Sequence, residues 1–190
     1  MTTSLSEYLS EAIAVLERAM AQSLEQPMGA AVDIIVGALS AGHPLLVAGN
    51  GGSASDAMHI AGELVGRYKR ERRGLNAIAL SANPAVLTAW ANDYDYETVF
   101  SRQVEAYGRP GGVFLGISTS GNSRNVIAAL KSARDMKMTT IGLTGEGGGK
   151  MAAFCDILLP VPSRDTPRIQ EGHVCLYHFL CDQVERRLAG

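Results

Sequence analysis

The chain has 190 residues, a length that fits one domain able to bury a substantial core. Hydrophobic residues make up 46% and aromatics 6%, the formal charge is −2 and the pI is near 6.1. Apart from Arg67 to Arg73 no basic stripe stands out, which argues against nucleic acid as a primary partner.

Leu5, Leu9, Ile13, Leu16 and Met20 recur at helical spacing and predict an amphipathic helix over residues 4–24. A second helix is expected from about Pro27 to Ala41. Residues 1–41 thus form a helical extension ahead of the first strand, and its apolar face needs a cover. That cover is either its own sheet or another subunit. Leu45 to Ala48 is a short apolar run, followed by Gly49-Asn50-Gly51-Gly52 and a helical stretch to about Tyr68. Ala77 to Leu80 is the next run, with a helix near Pro84 to Asn92. Val113 to Ile117 is the third, ending in Ser118-Thr119-Ser120-Gly121-Asn122-Ser123, and a helix covers Asn125 to Met138. Thr140 to Leu143 and Ile157 to Val161 are the fourth and fifth runs. A last helix covers about Ile169 to Leu188. Short apolar strands alternating with helices predict an α/β fold with a parallel sheet covered on both faces. Residues 1–190 read as a single domain.

The N-terminal residues show neither a basic start nor an apolar signal core, and no apolar run approaches ~18 residues, so no membrane span is expected. Cys155, Cys175 and Cys181 are odd in number and irregular in spacing, which argues against a disulfide framework. Cys175 and Cys181 are expected as small buried hydrophobes. A reducing cytoplasm is the expected location.

Two loops carry the chemical signal. Gly49 to Ser55 follows strand one and Ser118 to Ser123 follows strand three, and each opens a helix. Small residues let backbone N–H groups approach an anion, hydroxyls add donors, and the helix N-terminus adds a favourable dipole. In a flavodoxin-like order, 2-1-3-4-5, strands one and three are neighbours at the switch point, so both loops would face one crevice. The bland alternative is a pair of ordinary turns with N-caps. Neither loop has the lysine of a P-loop, and Ser53 and Ala54 spoil a dinucleotide fingerprint. A hydroxyl-rich loop suits a sugar phosphate better than ATP or NAD.

Four histidines are candidates for acid, base or metal chemistry. His43, at a turn before strand one, reads as structural or solvated. His59 and Glu63 share a helix face and could hold a metal, pair a base with its partner, or make a surface hydrogen bond. On the last helix, Gln170 and His178 are eight apart, about 80° around an ideal helix, while Gln170 and His173 are three apart. Spacing alone does not choose between His173 and His178.

Asn50-Gly51-Gly52-Ser53, Asp56-Ala57-Met58-His59, Glu63, Arg67, Asn92-Asp93, Ser118 to Ser123 and Arg168-Ile169-Gln170-Glu171 appear in order. In this combination the chain resembles the phosphoheptose isomerases of the sugar-isomerase (SIS) domain superfamily, over nearly its whole length. The resemblance implies a five-stranded parallel sheet between helices. It also implies a homotetramer with the N-terminal helices in its core and active sites shared between subunits. The implied reaction is sedoheptulose 7-phosphate to D-glycero-D-manno-heptose 7-phosphate, feeding the heptose of lipopolysaccharide core or related glycans.

The same resemblance implies one zinc per subunit on His59, Glu63, Gln170 and His178. It implies phosphate contacts from Ser118, Thr119, Ser120 and Ser123. Sugar contacts fall on Asn50, Gly51, Gly52, Asn92 and Asp93, with Glu63 and Gln170 also reaching the substrate, and Ser53 and Arg67 are further implied substrate-binding residues. Glu63 is expected as catalytic base and His178 as acid. Arg73-Gly74-Leu75-Asn76 lacks two prolines often seen there, and Trp90 is bulkier than the usual aliphatic residue. Two other readings share the fold: a non-catalytic protein that binds the bacterial replication initiator, and a sugar-phosphate-sensing regulator. The first lacks acidic and histidine residues at the positions of Glu63 and His178, and this sequence keeps both.

Overall fold

Strand residues alternate between two faces, and here both faces are buried. Leu45 and Val47 point into one core and Leu46 and Ala48 into the other, so the strand reads as an unbroken apolar run. In the computed structural model, which describes residues 4–189, five such strands form one parallel sheet: β1 (Leu45–Ala48), β2 (Ala77–Ala79), β3 (Val113–Ser118), β4 (Thr139–Thr144) and β5 (Ile157–Pro160). Their order is β2-β1-β3-β4-β5, as expected from the placement of the two loops. Leu45 pairs with Val113 and Ala48 with Gly116, so β1 and β3 end side by side.

Helices α1 (Leu5–Ala21) and α2 (Glu25–Ser40) precede the sheet, and α3 (Gly52–Val65), α4 (Pro84–Asp93), α5 (Val99–Tyr107), α6 (Arg124–Asp135) and α7 (Thr166–Leu188) are interleaved with it. Ile35 and Leu39 of α2, Ile60 and Leu64 of α3 and Leu180 and Val184 of α7 fill the core on one face. Phe100 and Val104 of α5 with Val126 and Leu130 of α6 fill the other. Helices α2 and α7 start a few residues before the expected points. Pro27 and Pro167 lie in their first turns, where a missing N–H costs nothing.

Helix α5 was not foreseen. Its buried face is Val99, Phe100, Gln103 and Val104, and the polar Gln103 masks the apolar period while its amide donates to Val99 O at 3.0 Å. A 3-10 turn at Gly149–Phe154, which follows Gly147 and Gly148 and begins at Gly149, all three of positive φ, was likewise unread. Cys181 is buried as expected, but Cys175 is exposed. It lies on the face of α7 that borders a groove with α1 and α2, which includes Leu16, Met20, Met28 and Phe179. Among the described residues no helix is long and apolar enough to cross a membrane.

Helix α1 opens with a capping box, in which Ser4 Oγ accepts from Glu7 N and Glu7 accepts from Ser4 N. Val15 packs on Val161 and Ile169, and the buried Arg168 stacks on Tyr8 at 3.7 Å while pairing with Glu171 at 2.7 Å. Leu5, Leu9, Ile13 and Met20 remain exposed.

Helix α3 stops at Val65 rather than near Tyr68, because Glu185 of α7 captures the next stretch of backbone. Its carboxylate accepts from the N–H groups of Tyr68, Lys69 and Arg70 at 2.7–2.9 Å. Arg72, almost fully buried, lies 3.3 Å from the same carboxylate and donates to the carbonyls of Glu63 and Gly66, closing the end of α3. Burial alone would raise the Glu185 pKa, but these donors and Arg72 hold it below its ordinary value of 4.5. Its stabilising contribution is therefore complete above that value and is lost as pH falls through the lower folded-state value. Glu185→Gln turns an acceptor into a donor facing N–H groups and strands Arg72. Urea unfolding should show a loss of about 3–5 kcal/mol at neutral pH, and a shallower decline of stability below pH 4.5 than in the parent.

Candidate active site

The loop after β1 can turn sharply because Gly51 takes φ +55°, ψ −123°, a backbone conformation that disfavours any side chain. The side-chain amide of Asn50, just before it, pairs reciprocally with that of Asn125 in the first turn of α6, at 2.8 and 2.9 Å. The Tyr96 hydroxyl donates to Asn50 Oδ1 at 3.1 Å. The loops after β1 and β3 are thus tied together, and a cleft of about 440 Å³ opens beside them, lined by Asn50, Tyr96, Glu97, Ser123, Arg124 and Asn125. In the loop after β3, Ser118 Oγ and Ser123 Oγ are 2.8 Å apart. Ser123 stands at the N-cap of α6 but makes no side-chain cap bond, because its hydroxyl turns to Ser118. Ser120 Oγ accepts from Asn122 N, and Thr119 O accepts from Gly145 N. Hydroxyls gathered at a helix N-terminus form an anion-binding arrangement.

Helix α3 carries His59 and Glu63 on one face, with His59 Nε2 at 2.9 Å from Glu63 Oε1. Helix α7 crosses it and brings His178, whose ring centre is 5.0 Å from that of His59. One ligand atom from each of His59, Glu63 and His178 falls within 4.8 Å of the others, a group that could hold a metal ion. Two imidazoles and a carboxylate match the donor types that bind zinc and leave a position open. Gln170, two turns earlier on α7, lies against the Cα of Gly52, so α7 touches the loop after β1 as well. Burial first, then His59, lowers the His178 pKa, against an opposing pull from Glu63.

The choice left open by spacing is made by packing. His173 is fully buried, its Nε2 lies 3.0 Å from Thr144 O, and burial pushes its pKa down to about 4. It faces the sheet, whereas His178 faces α3. Other residues of the constellation sit differently. Ser53 is buried in the first turn of α3. Asn92 donates to Asp93 at the exposed end of α4, and Arg67 pairs with Glu71 at 3.2 Å. Among the described residues, these last three make no hydrogen bond to the two loops or to the three-residue group. Sequence reasoning passed over Asn125 and Tyr177, and gave Asp56 no role beyond its place in the motif. Asp56 is buried, which raises its pKa to about 6, and the Tyr177 hydroxyl is 2.9 Å from His59 Nδ1. Asp56 had a readable signal, since it shares the helix face of His59 and Glu63; Tyr177 looked like core.

A family model for the SIS domain matches residues 7–145. The phosphoheptose isomerase of Geotalea daltonii is 53% identical over 169 residues, covering 89% of this chain and 88% of the relative. The solved phosphoheptose isomerase of Neisseria gonorrhoeae superposes with a TM-score of 0.90 at 43% identity, covering 96% of this chain and 97% of that one. That of Francisella tularensis gives 0.91 at 36% identity, covering 97% and 100%. The family match over residues 7–145, on a doubly covered five-stranded parallel sheet, makes this an SIS-domain protein. Within that class the chain belongs to the phosphoheptose isomerase family, and it is an isomerase.

A Cβ on Gly52 would lie 2.3 Å from Gln170 Nε2, the free end of a flexible side chain. Gly52→Ala should therefore fold normally, with a melting temperature unchanged or slightly raised by helix propensity, while the displaced Gln170 lowers kcat/KM at least about tenfold. Differential scanning calorimetry beside steady-state kinetics separates the two effects.

Proposed function

We propose that the chain interconverts sedoheptulose 7-phosphate and D-glycero-D-manno-heptose 7-phosphate. The observation that carries this reading is the double contact of the loop after β1. Asn50 bonds to Asn125 beside the hydroxyl loop, and Gly52 packs on Gln170 beside His59, Glu63 and His178. A phosphate held at one end of the crevice thus presents its sugar to acid and base groups at the other.

Ser118, Thr119, Ser120 and Ser123 hold the phosphate. Asn50, Gly51, Gly52, Asn92 and Asp93 hold the sugar, Ser53 and Arg67 are further substrate-binding residues, and Gln170 orients the reacting end. Ketose and aldose differ by one proton moved from C1 to C2 and one exchanged between the two oxygens. Glu63 takes the proton from C1, and its Oε2 is suited to this because Oε1 faces His59. His178 passes a proton to O2, giving a cis-enediol. The O1 proton then returns to His178, and Glu63 delivers its proton to C2, so no atom is gained or lost. Zinc held by His59, Glu63, Gln170 and His178 would polarise the carbonyl and stabilise charge on the enediol oxygens.

The exposed apolar stripe of α1 and its groove with α2 and α7 fit an N-terminal extension buried in a homotetramer, with sites completed at subunit interfaces. The product would supply ADP-heptose for lipopolysaccharide core, made in the cytoplasm.

Incubation with sedoheptulose 7-phosphate should yield the aldose, followed by chromatography or NMR. Glu63→Gln should lower kcat by about 10²–10⁴-fold while leaving the oligomer intact in analytical ultracentrifugation. Normal turnover in that variant would remove Glu63 as the base. No conversion by the parent, together with tight binding to the replication initiator, would favour the non-catalytic reading.

Treatment with a strong chelator, followed by desalting, should abolish most activity, and added zinc should restore it. A metal-free protein of undiminished rate would exclude a metal role.

A further inference from the structure

Both ring nitrogens of His59 are engaged. Nε2 faces Glu63 Oε1 and Nδ1 faces the Tyr177 hydroxyl, each at 2.9 Å. Tyr177 is 1% exposed, and its ring meets His59 and His178 edge-on at 5.4 and 5.0 Å, so it has little freedom to move. Asp56, one turn before His59 on α3, lies near the Tyr177 side chain. Its Oδ2 is buried and has no hydrogen-bond partner. A buried carboxylate oxygen without a donor is costly, and the Tyr177 hydroxyl is the donor beside it.

A hydroxyl carries one proton, and a neutral imidazole carries one N–H. When Nε2 holds its proton, it donates to Glu63, and Nδ1 must accept from Tyr177. Asp56 Oδ2 is then left alone, in keeping with its lack of a hydrogen-bond partner. When the Nε2 lone pair binds a cation, the ring proton sits on Nδ1 and needs an acceptor. Tyr177 oxygen can accept it only if the tyrosine proton turns to another group, and Asp56 is that group.

We propose that Tyr177 and Asp56 are positioning residues that hold His59 in the tautomer protonated at Nδ1, so that Nε2 presents its lone pair to the cation. The hydrogen-bond chain then runs His59 Nδ1–H to Tyr177 to Asp56, and with the cation on Nε2 a neutral His59 leaves no member unpaired. Outer partners of this kind fix the ring orientation and basicity of a ligating histidine. The inference rests on His59 being a metal ligand.

Zinc affinity is measured on stripped protein by competition with a chromogenic chelator, for the parent and for Tyr177→Phe, Asp56→Ala and Asp56→Asn. Tyr177→Phe and Asp56→Ala should weaken binding about 10–100-fold. Asp56→Asn should recover most of the loss, because its carbonyl oxygen still accepts from the tyrosine. Long-range ¹H–¹⁵N spectra of the zinc-loaded parent should show His59 protonated at Nδ1, a readout that stands even if a variant fails to fold. Parent-like affinity in folded Tyr177→Phe, or a loaded His59 protonated at Nε2, overturns the inference alone. A parent that binds no zinc overturns the metal site itself, and the inference with it.

Discussion

The pairing of β1 with β3 is the constraint on which the rest of the crevice depends. Parallel strands in register, Leu45 to Ala48 against Val113 to Gly116, bring their C-terminal ends to the same edge of the sheet. Two loops some seventy residues apart in sequence then meet closely enough for Asn50 and Asn125 to exchange amide hydrogen bonds. The hydroxyls of Ser118 and Ser123 acquire a fixed place relative to α3 only through that meeting. A sheet with its strands in another order would leave the same loops intact and useless to one another.

Helix α7 supplies what the switch point lacks. It is 23 residues long, and three of its faces do different work. Ile169 and the buried His173 anchor it to the rest of the fold, Gln170 and His178 turn to the loop after β1 and to α3, and Cys175, Leu176 and Phe179 line the groove with α1 and α2. The candidate site is thus built from one helix of the alternating βα units and one at the chain's end. The same helix borders the apolar groove with α1 and α2.

Much of this was legible in the residues. The five apolar runs followed from periodicity, and the chemistry of glycine and serine marked out two special loops that a flavodoxin-like strand order would pair, the order the sheet has. What was not legible depended on which face of a helix meets which neighbour. His173 and His178 are both near apolar residues, and only the packing of α7 separates the one that bonds Thr144 from the one that meets His59. Cys175 carried an apolar pattern yet lies exposed, because that pattern belongs to a face that α1 and α2 only partly cover. Helix α5 escaped because a buried glutamine satisfies itself within its own helix, which no hydrophobic period reveals.

The carboxylate of Glu185 has a consequence for the far end of its helix. By gripping three successive amides just beyond α3, it prevents α7 from sliding along α3. A slip of a single residue would shift every side chain of α7 by about 1.5 Å. The proposed metal site would tolerate only about ±0.2 Å in its coordination distances. The grip therefore works as a register pin: it keeps His178 and Gln170 level with His59 and Glu63, two to four turns away, without touching any of them.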